Sequence, residues 1–578
     1  MRTRNCVSCW LRAGWSVALL AGAARAQLCQ DWVRTFGGSA DEHAFGGADA
    51  AGTLRLAGVT TSFGAVGEDL LLLTYDPGGG LSSAIRWAGN EDEFIEGGGA
   101  VDAAGTVSAG GSLGPVGSAA PRDAFVLEFA PGGTLAWAAR WDAGHGGEDE
   151  VDVVSVDAVN GFVYASGWTR NLAGDQDVLI LKFDRAGALQ GAVSWDTGGE
   201  ESINGSDILF GPGGEVSLYV VGNHAPPGFG SVDALVMKYD VSPGLAVPQL
   251  VWARSWASGD AFGVSVDPAT GSAYVTGGTE AFLPGNRRDA FLLQVRPDGR
   301  LGWDVTWGGT GDDEPSVAVH AGAVYLSGYS DSPEVALAGG GEAFVLEYDA
   351  GSGDVLWGQV FGGCSADFLG LSSSSGALVA SGVTSSYEGV LAGCAACPGL
   401  AADPAGTSWT PISGTAATVA GTASAVALTP VAVTDSGGSG DDVLLVKLVE
   451  RGSWTNYCAV VPDSTCSPAV MRASGSTSIA VDDFTLSAEL VPDQPFLFFH
   501  GPTRIQVPFG SGFRCVGGGI ARLNPPATAS AGLAQRRVDL AAAGIGPGEV
   551  HFQCWFRDPL AGPPFFGTSD GLSVTFSP

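Results

Sequence analysis

The chain has 578 residues, with 27 basic side chains against 61 acidic ones and a formal net charge of −34 at pH 7. A surface that acidic repels nucleic acid and anionic membrane, so both are excluded as expected partners, while divalent cations, glycans and proteins are not. The length exceeds a single ordinary core, which calls for several domains or a repeat array.

Residues 1–26 carry Arg2, Arg4 and Arg12 and no acid, then an apolar stretch through "WSVALLAGAA", then Ala24-Arg25-Ala26. This is the pattern of a secretory leader with a small-x-small cleavage site. Cleavage near Ala26 predicts a secreted or cell-surface protein. No later run reaches the ~18 uninterrupted apolar residues of a spanning helix, so no transmembrane segment is expected.

From Trp32 to about Leu448 one phrase recurs. An acid opens an apolar run at Asp69, Asp123, Asp177, Asp233, Asp289, Glu342 and Asp442. All but the last run are followed by a turn such as "DPGGG" or "RPDG" and a second run ending in an aromatic residue: Trp87, Trp141, Trp195, Trp256, Trp307 and Phe361. The opening "WVRTF" supplies one more, ending at Phe36. A glycine-rich acidic link comes next, then two short runs closing on Gly58, Gly110, Gly167, Gly222, Gly277, Gly328 and Gly382. Four short strands in each unit of about 54 residues are the signature of propeller blades. The expected fold is all-β, a seven-bladed β-propeller over 27–450, closed when Trp32–Phe36 pairs beside Asp442–Leu448. Closure buries edges that an open array would leave bare. The seven acids are expected to accept hydrogen bonds from backbone N–H groups in the adjacent turn, and the aromatics to pack between blades.

"WDVTWGGTGDD", "VSVDPATGSAYVTGGT" and "DAFLLQVRPDGRLGW" resemble the SBBP type of β-propeller repeat found in large secreted bacterial proteins. The resemblance covers 32 to about 448 and rests on recurrence. The seventh unit departs from it with an insertion over 383–441, including "CAACPG" and the Ala/Thr/Ser-rich "GTAATVAGTASAVALT". Its low-complexity composition predicts a surface loop elaboration, such as an extra hairpin, without a core of its own.

Over 451–578 the blade pattern stops, and "DFTLSAEL", "FLFFHG", "RIQVPFG" and "VHFQCWFRDP" read as strands of a separate β-sandwich-like domain. It resembles a module at the C-termini of secreted bacterial proteins, which implies attachment or sorting. Trp555 beside Arg557 reads as an aromatic core residue next to a structural arginine.

Eight cysteines follow the leader, an even number that favours disulfides in an exported chain. The simplest pairing in the C-terminal domain is Cys458 with Cys466 and Cys515 with Cys554. Cys364, Cys394 and Cys397 are expected on one face of the ring, where Cys364 bonded to either of the other two would staple the insertion. Zinc at Cys394-x-x-Cys397 lacks a fourth ligand. The six histidines are scattered, and no nucleophile elbow or zinc-binding helix motif is present.

A feature repeated in every blade serves the scaffold, so a ligand site is sought where blades differ. The loops after the second strand differ most, and with the inter-blade links they collect Trp168, Arg170, His224, Arg287, Arg288, Tyr329 and Asp331, with Glu148, Asp149, Asp312 and Asp313 close by. Aromatics beside amides and carboxylates suit sugars, and clustered carboxylates suit calcium, although no Asp-x-Asp-x-Asp-Gly loop occurs. The expected function is a non-enzymatic exported propeller presenting a binding or adhesion face to a glycan or protein, without a cofactor. The alternatives are a polysaccharide hydrolase or lyase and a structural surface-layer component. A glycosidase requires two carboxyl groups within ~5–10 Å across a cleft, whereas a scaffold spreads its acids evenly.

Overall fold

The computed structural model describes residues 28–65, 67–95, 97, 99–118, 120–228, 232–256, 258–280, 287–320, 322–332, 341–361, 367–374, 377–384, 390–394, 409–435, 441–450, 454–458, 469–474, 477, 479, 484–530, 532–561 and 563–576. The leader and Cys364, Cys397 and Cys466 lie outside these residues. Gln30–Val449 forms one compact unit and Glu450–Pro578 the body of a second.

Among the described residues the first unit holds seven antiparallel sheets, numbered in chain order from Glu42–Ala48. In the third, the strands Asp149–Asp157, Phe162–Arg170, Gln176–Asp184 and Leu189–Asp196 follow one another from inside to outside. Its two middle strands are buried on both faces, because a neighbouring sheet covers each side, so they carry continuous apolar runs such as Val178–Leu181. The innermost strands touch in succession from Glu42–Ala48 through Gly99–Val101, Asp149–Asp157, Glu200–Phe210, Gly259–Val266 and Asp313–His320 to Asp367–Ser374, which returns to Glu42–Ala48. In the last sheet the outermost strand is Leu28–Phe36, beside Asp442–Glu450. The two ends of the unit thus share one sheet.

The aromatic residues that end the outer strands pack between sheets. Trp87 meets Phe129 of the next sheet with ring centroids 5.4 Å apart, Trp256 meets Phe291 at 4.6 Å, and Trp307 meets Phe344 at 4.4 Å. The glycine that closes the second strand answers to backbone proximity in six of the seven sheets; in the second sheet Gly110 faces the side chain of Val151 and it is Gly111 that lies against the Phe94 carbonyl. A Cβ on Gly167 would lie 2.2 Å from the carbonyl oxygen of Glu150, where the inner strand shifts register between Val151 and Val153.

The insertion is not a hairpin standing on one face. Its short strands are dealt out one to a sheet along the outer rim: Val390–Cys394 joins the sixth sheet, Trp409–Pro411 the fourth, Thr415–Thr418 the third, Thr422–Ala425 the second and Thr429–Ala432 the first. The chain then re-enters the seventh sheet at Asp442. This girdle keeps a seven-residue stride. The N–H groups of Ile412, Val419, Val426 and Val433 donate to the carbonyls of Ala253, Ala192, Ala138 and Ala84 at 3.4, 3.1, 2.9 and 3.0 Å. Their side chains pack against the cores of successive sheets. Cys394 therefore sits on a rim strand, opposite Gly358, and not in a loop on a face.

In the second unit a five-stranded sheet (Trp454–Tyr457, Phe566–Phe576, Gly548–Arg557, Pro495–Gly501, Ala521–Thr528) faces a three-stranded one (Val470–Ser474, Thr485–Glu489, Leu533–Arg537). Their shared core holds Met471, Leu486, Phe498, Phe552, Phe556 and Leu572. The hairpin Thr503–Phe509/Gly512–Gly517 lies against the other side of the larger sheet. The expected disulfide pairing is overturned, because Cys458 bonds to Cys515 and Cys554 is a buried free thiol. Strand alternation explains why. Cys554 points into the core, whereas Cys515 lies over Gln553, whose side chain projects to the opposite face and whose Oε1 accepts the Cys515 N–H at 2.8 Å.

Candidate functional site

Most of the described links between sheets follow one design. Six residues after the aromatic that ends an outer strand comes an acid opening the next inner strand, as at Phe36/Glu42, Trp87/Glu93, Trp195/Glu201 and Trp307/Asp313. At Trp141/Asp149 the link is two residues longer, and after Trp256 the acid is missing. The carboxylate folds back on its own link. Glu42 Oε2 accepts the Gly38 N–H at 2.6 Å, Asp149 Oδ2 that of Ala143 at 3.0 Å, Glu201 Oε2 that of Thr197 at 3.2 Å, and Asp313 Oδ2 that of Gly309 at 3.2 Å. Hydroxyls complete the clip: Thr60 Oγ1 donates to Glu42 Oε1 at 2.7 Å, Thr169 Oγ1 to Asp149, and Ser332 Oγ to Asp313 Oδ2 at 2.9 Å.

This corrects the expectation for the acids opening the third strands. Asp233 accepts a backbone N–H, from Ser258 at 3.0 Å. Asp69 instead takes the Arg86 guanidinium, Asp123 lies 3.3 Å from Arg140 Nε, and Asp177 accepts from Asn171 Nδ2 at 2.8 Å. Asp289 Oδ1 is buried without a hydrogen-bond partner among the described residues.

The two sets of acids meet at the junctions. Asp123, Asp142 and Asp149 bring one carboxylate oxygen each within 4.8 Å of the others, as do Asp177, Asp196 and Glu201. Three oxygens are fewer than the six to eight a calcium ion takes, and most of these carboxylates already accept hydrogen bonds. Burial raises these acids: Glu93 is pushed up to about 8, Glu201 and Asp313 to about 7, and Asp177 and Asp289 to about 6.

The residues expected to form a binding face fall into three separate groups. Trp168 is only 9% exposed and carries the Arg170 guanidinium 5.6 Å from its ring centroid, so it offers no open face for a sugar. His224, 6% exposed, is held between Thr197 Oγ1 at 3.2 Å and Glu201 at 3.8 Å, and burial lowers its pKa. The third group does converge. Arg287 Nη1 donates to Asp312 Oδ2 at 2.6 Å and lies 3.8 Å from Asp331 Oδ2, while the backbone N–H of Arg288 reaches Asp312 Oδ1 at 3.0 Å. The side chains of Arg287, Asp312 and Asp331 are 48, 37 and 33% exposed. Burial raises the pKa of Tyr329, with the negative charge of Asp331, Glu314 and Asp312 acting in the same direction. The Arg288 guanidinium turns away to Asp260. Residues 229–231, 281–286 and 333–340 of the blade-specific loops lie outside the described residues.

The sequence reading missed an axial pocket of about 300 Å³ between the inner strands. Phe45, Phe262 and Phe368 line it with Asn204, Pro315 and Ser372. Phe45 and Phe368 meet edge to face at 6.0 Å. The available signal was an aromatic next to a glycine inside an inner strand, in Phe45-Gly46 and Phe262-Gly263.

No protein-family model matches the chain, and no curated protein matches it. Among solved structures it is similar to the quinohemoprotein alcohol dehydrogenase ADHIIG of Pseudomonas putida HK5, with 12% identity over 62% of this chain and 72% of that one and a TM-score of 0.31. It is similar to the WD40 domain of SCAP from fission yeast, with 10% identity over 74% and 98% of the two chains and a TM-score of 0.31. Rhamnogalacturonan lyase YesW is similar at 11% identity over 59% and 71%, with a TM-score of 0.25.

Proposed function

We propose that Gln30–Val449 is a seven-bladed β-propeller of the SBBP repeat type, working as a non-enzymatic binding scaffold outside the cell, with the C-terminal unit serving attachment or sorting. The observation that carries this reading is the recurrence of one link-closing acid at most of the described sheet junctions. The same carboxylate clip recurs from junction to junction, its oxygens occupied by link N–H groups and hydroxyls. Acids spent on closing links are poor candidates for the paired acid and base of a glycosidase. The half-exposed Arg287–Asp312–Asp331 group and the aromatic axial pocket are the surfaces left for a ligand.

The test is a screen of the chain against soluble polysaccharides and extracellular proteins, read by both binding and product release. Saturable binding without turnover is expected, weakened about tenfold by Arg287→Ala through loss of a charged contact. Release of product from any polysaccharide overturns the reading.

A further inference from the structure

The C-terminal unit contains a cleft that no part of the propeller reading uses. Strand alternation on Pro495–Gly501 and Gly548–Arg557 sends Phe498, Cys554 and Phe556 into the core and leaves Leu497 and Trp555, direct cross-strand partners, on the other face. Phe499, on that same face, pairs with Arg522. The hairpin Thr503–Phe509/Gly512–Gly517 covers part of the face, and between the two is a cleft of about 400 Å³. Leu497, Phe499, Phe509, Ile520 and Trp555 form its apolar wall, with Phe509 and Ile520 at 39 and 40% exposure on the rim. Trp555 is therefore not the core residue the sequence suggested.

Two arginines complete the lining, Arg514 and Arg522. Arg514 Nε is buried without a hydrogen-bond partner, and neither guanidinium is within salt-bridge distance of an acid among the described residues. That is unusual in a chain with more than twice as many acids as bases, where the other arginines of this unit include Arg472 and Arg504, paired with Glu489 and Glu549. Residues 451–578 hold 8 basic and 9 acidic residues, so the chain's excess of negative charge lies elsewhere.

The side chains around the cleft supply donors and hydrocarbon but no acceptor. A sugar would leave its hydroxyl donors unpaired there, and a peptide its N–H groups, each at a cost. A hydrocarbon body ending in an acceptor-only anionic head leaves nothing unpaired, and a carboxylate matches the guanidinium fork. We propose that this cleft binds a fatty-acid-like carboxylate, its chain along Trp555, Leu497 and Phe499 and its head between Arg514 and Arg522.

The experiment is calorimetric titration of the full chain with sodium decanoate, with decan-1-ol as the uncharged control and acetyl-Val-Phe-Leu bearing a free carboxylate as the peptide control. Decanoate is expected to bind saturably at one site, at least about tenfold more tightly than decanol, the difference a charge-assisted hydrogen bond supplies. Arg522→Gln, at an exposed position, is expected to remove most of that preference, and Arg514→Gln to do the same if it folds. Equal affinity for acid and alcohol, a preference unchanged in Arg522→Gln, no saturable binding, or tighter binding of the tripeptide each overturns the proposal.

Discussion

The carboxylates at the sheet junctions are built into the fold at the expense of their charge. Glu93, 1% exposed, is pushed up to about 8 by burial and by the negative charge of Asp69 and Glu91, although the Gly89 N–H lowers it. In the unfolded chain such groups titrate near ~4. Between those two values the folded state holds more protons than the unfolded one, so stability is greatest on the acid side and declines as pH rises from ~4 to ~8. Glu201 and Asp313, raised to about 7, act in the same direction. The urea midpoint is accordingly expected to be higher at pH 5 than at pH 8. Glu93→Gln keeps an acceptor for the Gly89 N–H and removes the titration. It should leave stability at pH 5 nearly unchanged and raise it by ~1–3 kcal/mol at pH 8. An equal effect at both pH values would show that burial of charge is not the cause.

Among the elements, the girdle couples sheets that are distant in sequence. Where it crosses Trp141 and Trp195 it carries Gly421 and Gly414, and a Cβ there would fall 2.3 and 2.4 Å from the indole rings. Neither indole has room to yield, since both are fully buried. Gly421→Ala is therefore expected to cost ~1–3 kcal/mol in equilibrium unfolding, as overpacking does. Ala420→Ser, at an exposed neighbouring position, should cost little. The stride of Ile412, Val419, Val426 and Val433 stood in the sequence, yet strands of four exposed residues such as Thr415–Thr418 and Thr422–Ala425 have no alternation that separates them from an unstructured loop. The acid-led strands were legible for the opposite reason. They begin at Asp69, Asp123, Asp233, Asp289, Glu342 and Asp442 in the structure because runs buried on both faces are apolar without interruption. At the candidate site the sequence could place Arg287, Asp312 and Asp331 at one end of the sheets. It could not show that Trp168 and His224 are buried, since that depends on which neighbour covers them. The same ambiguity affected Trp555. Alternation sorts a strand into two faces, but only the partner sheet decides which one is core.

At the scale of the whole molecule, each unit's integrity depends on joining distant residues. The first unit is closed by Leu28–Phe36 against Asp442–Glu450, and the Glu42 N–H bonds to the Asp441 carbonyl at 2.8 Å beside that seam. Deleting 28–36 leaves a strand edge bare in the seventh sheet, a template for pairing with another chain. A lowered unfolding midpoint and concentration-dependent association in sedimentation are expected of the truncated protein. Behaviour identical to the full chain would mean that the seam contributes nothing to stability. The Cys458–Cys515 bond ties the start of the second unit to the hairpin over its cleft. The girdle also has a temporal consequence. A ribosome delivers the first four sheets more than a hundred residues before the segment that finishes their rims, so a nascent chain must carry several incomplete outer strands until residues 409–432 emerge. Late arrival of the sealing segment leaves those rims open to neighbouring chains until translation has passed residue 432, however many repeats are already complete.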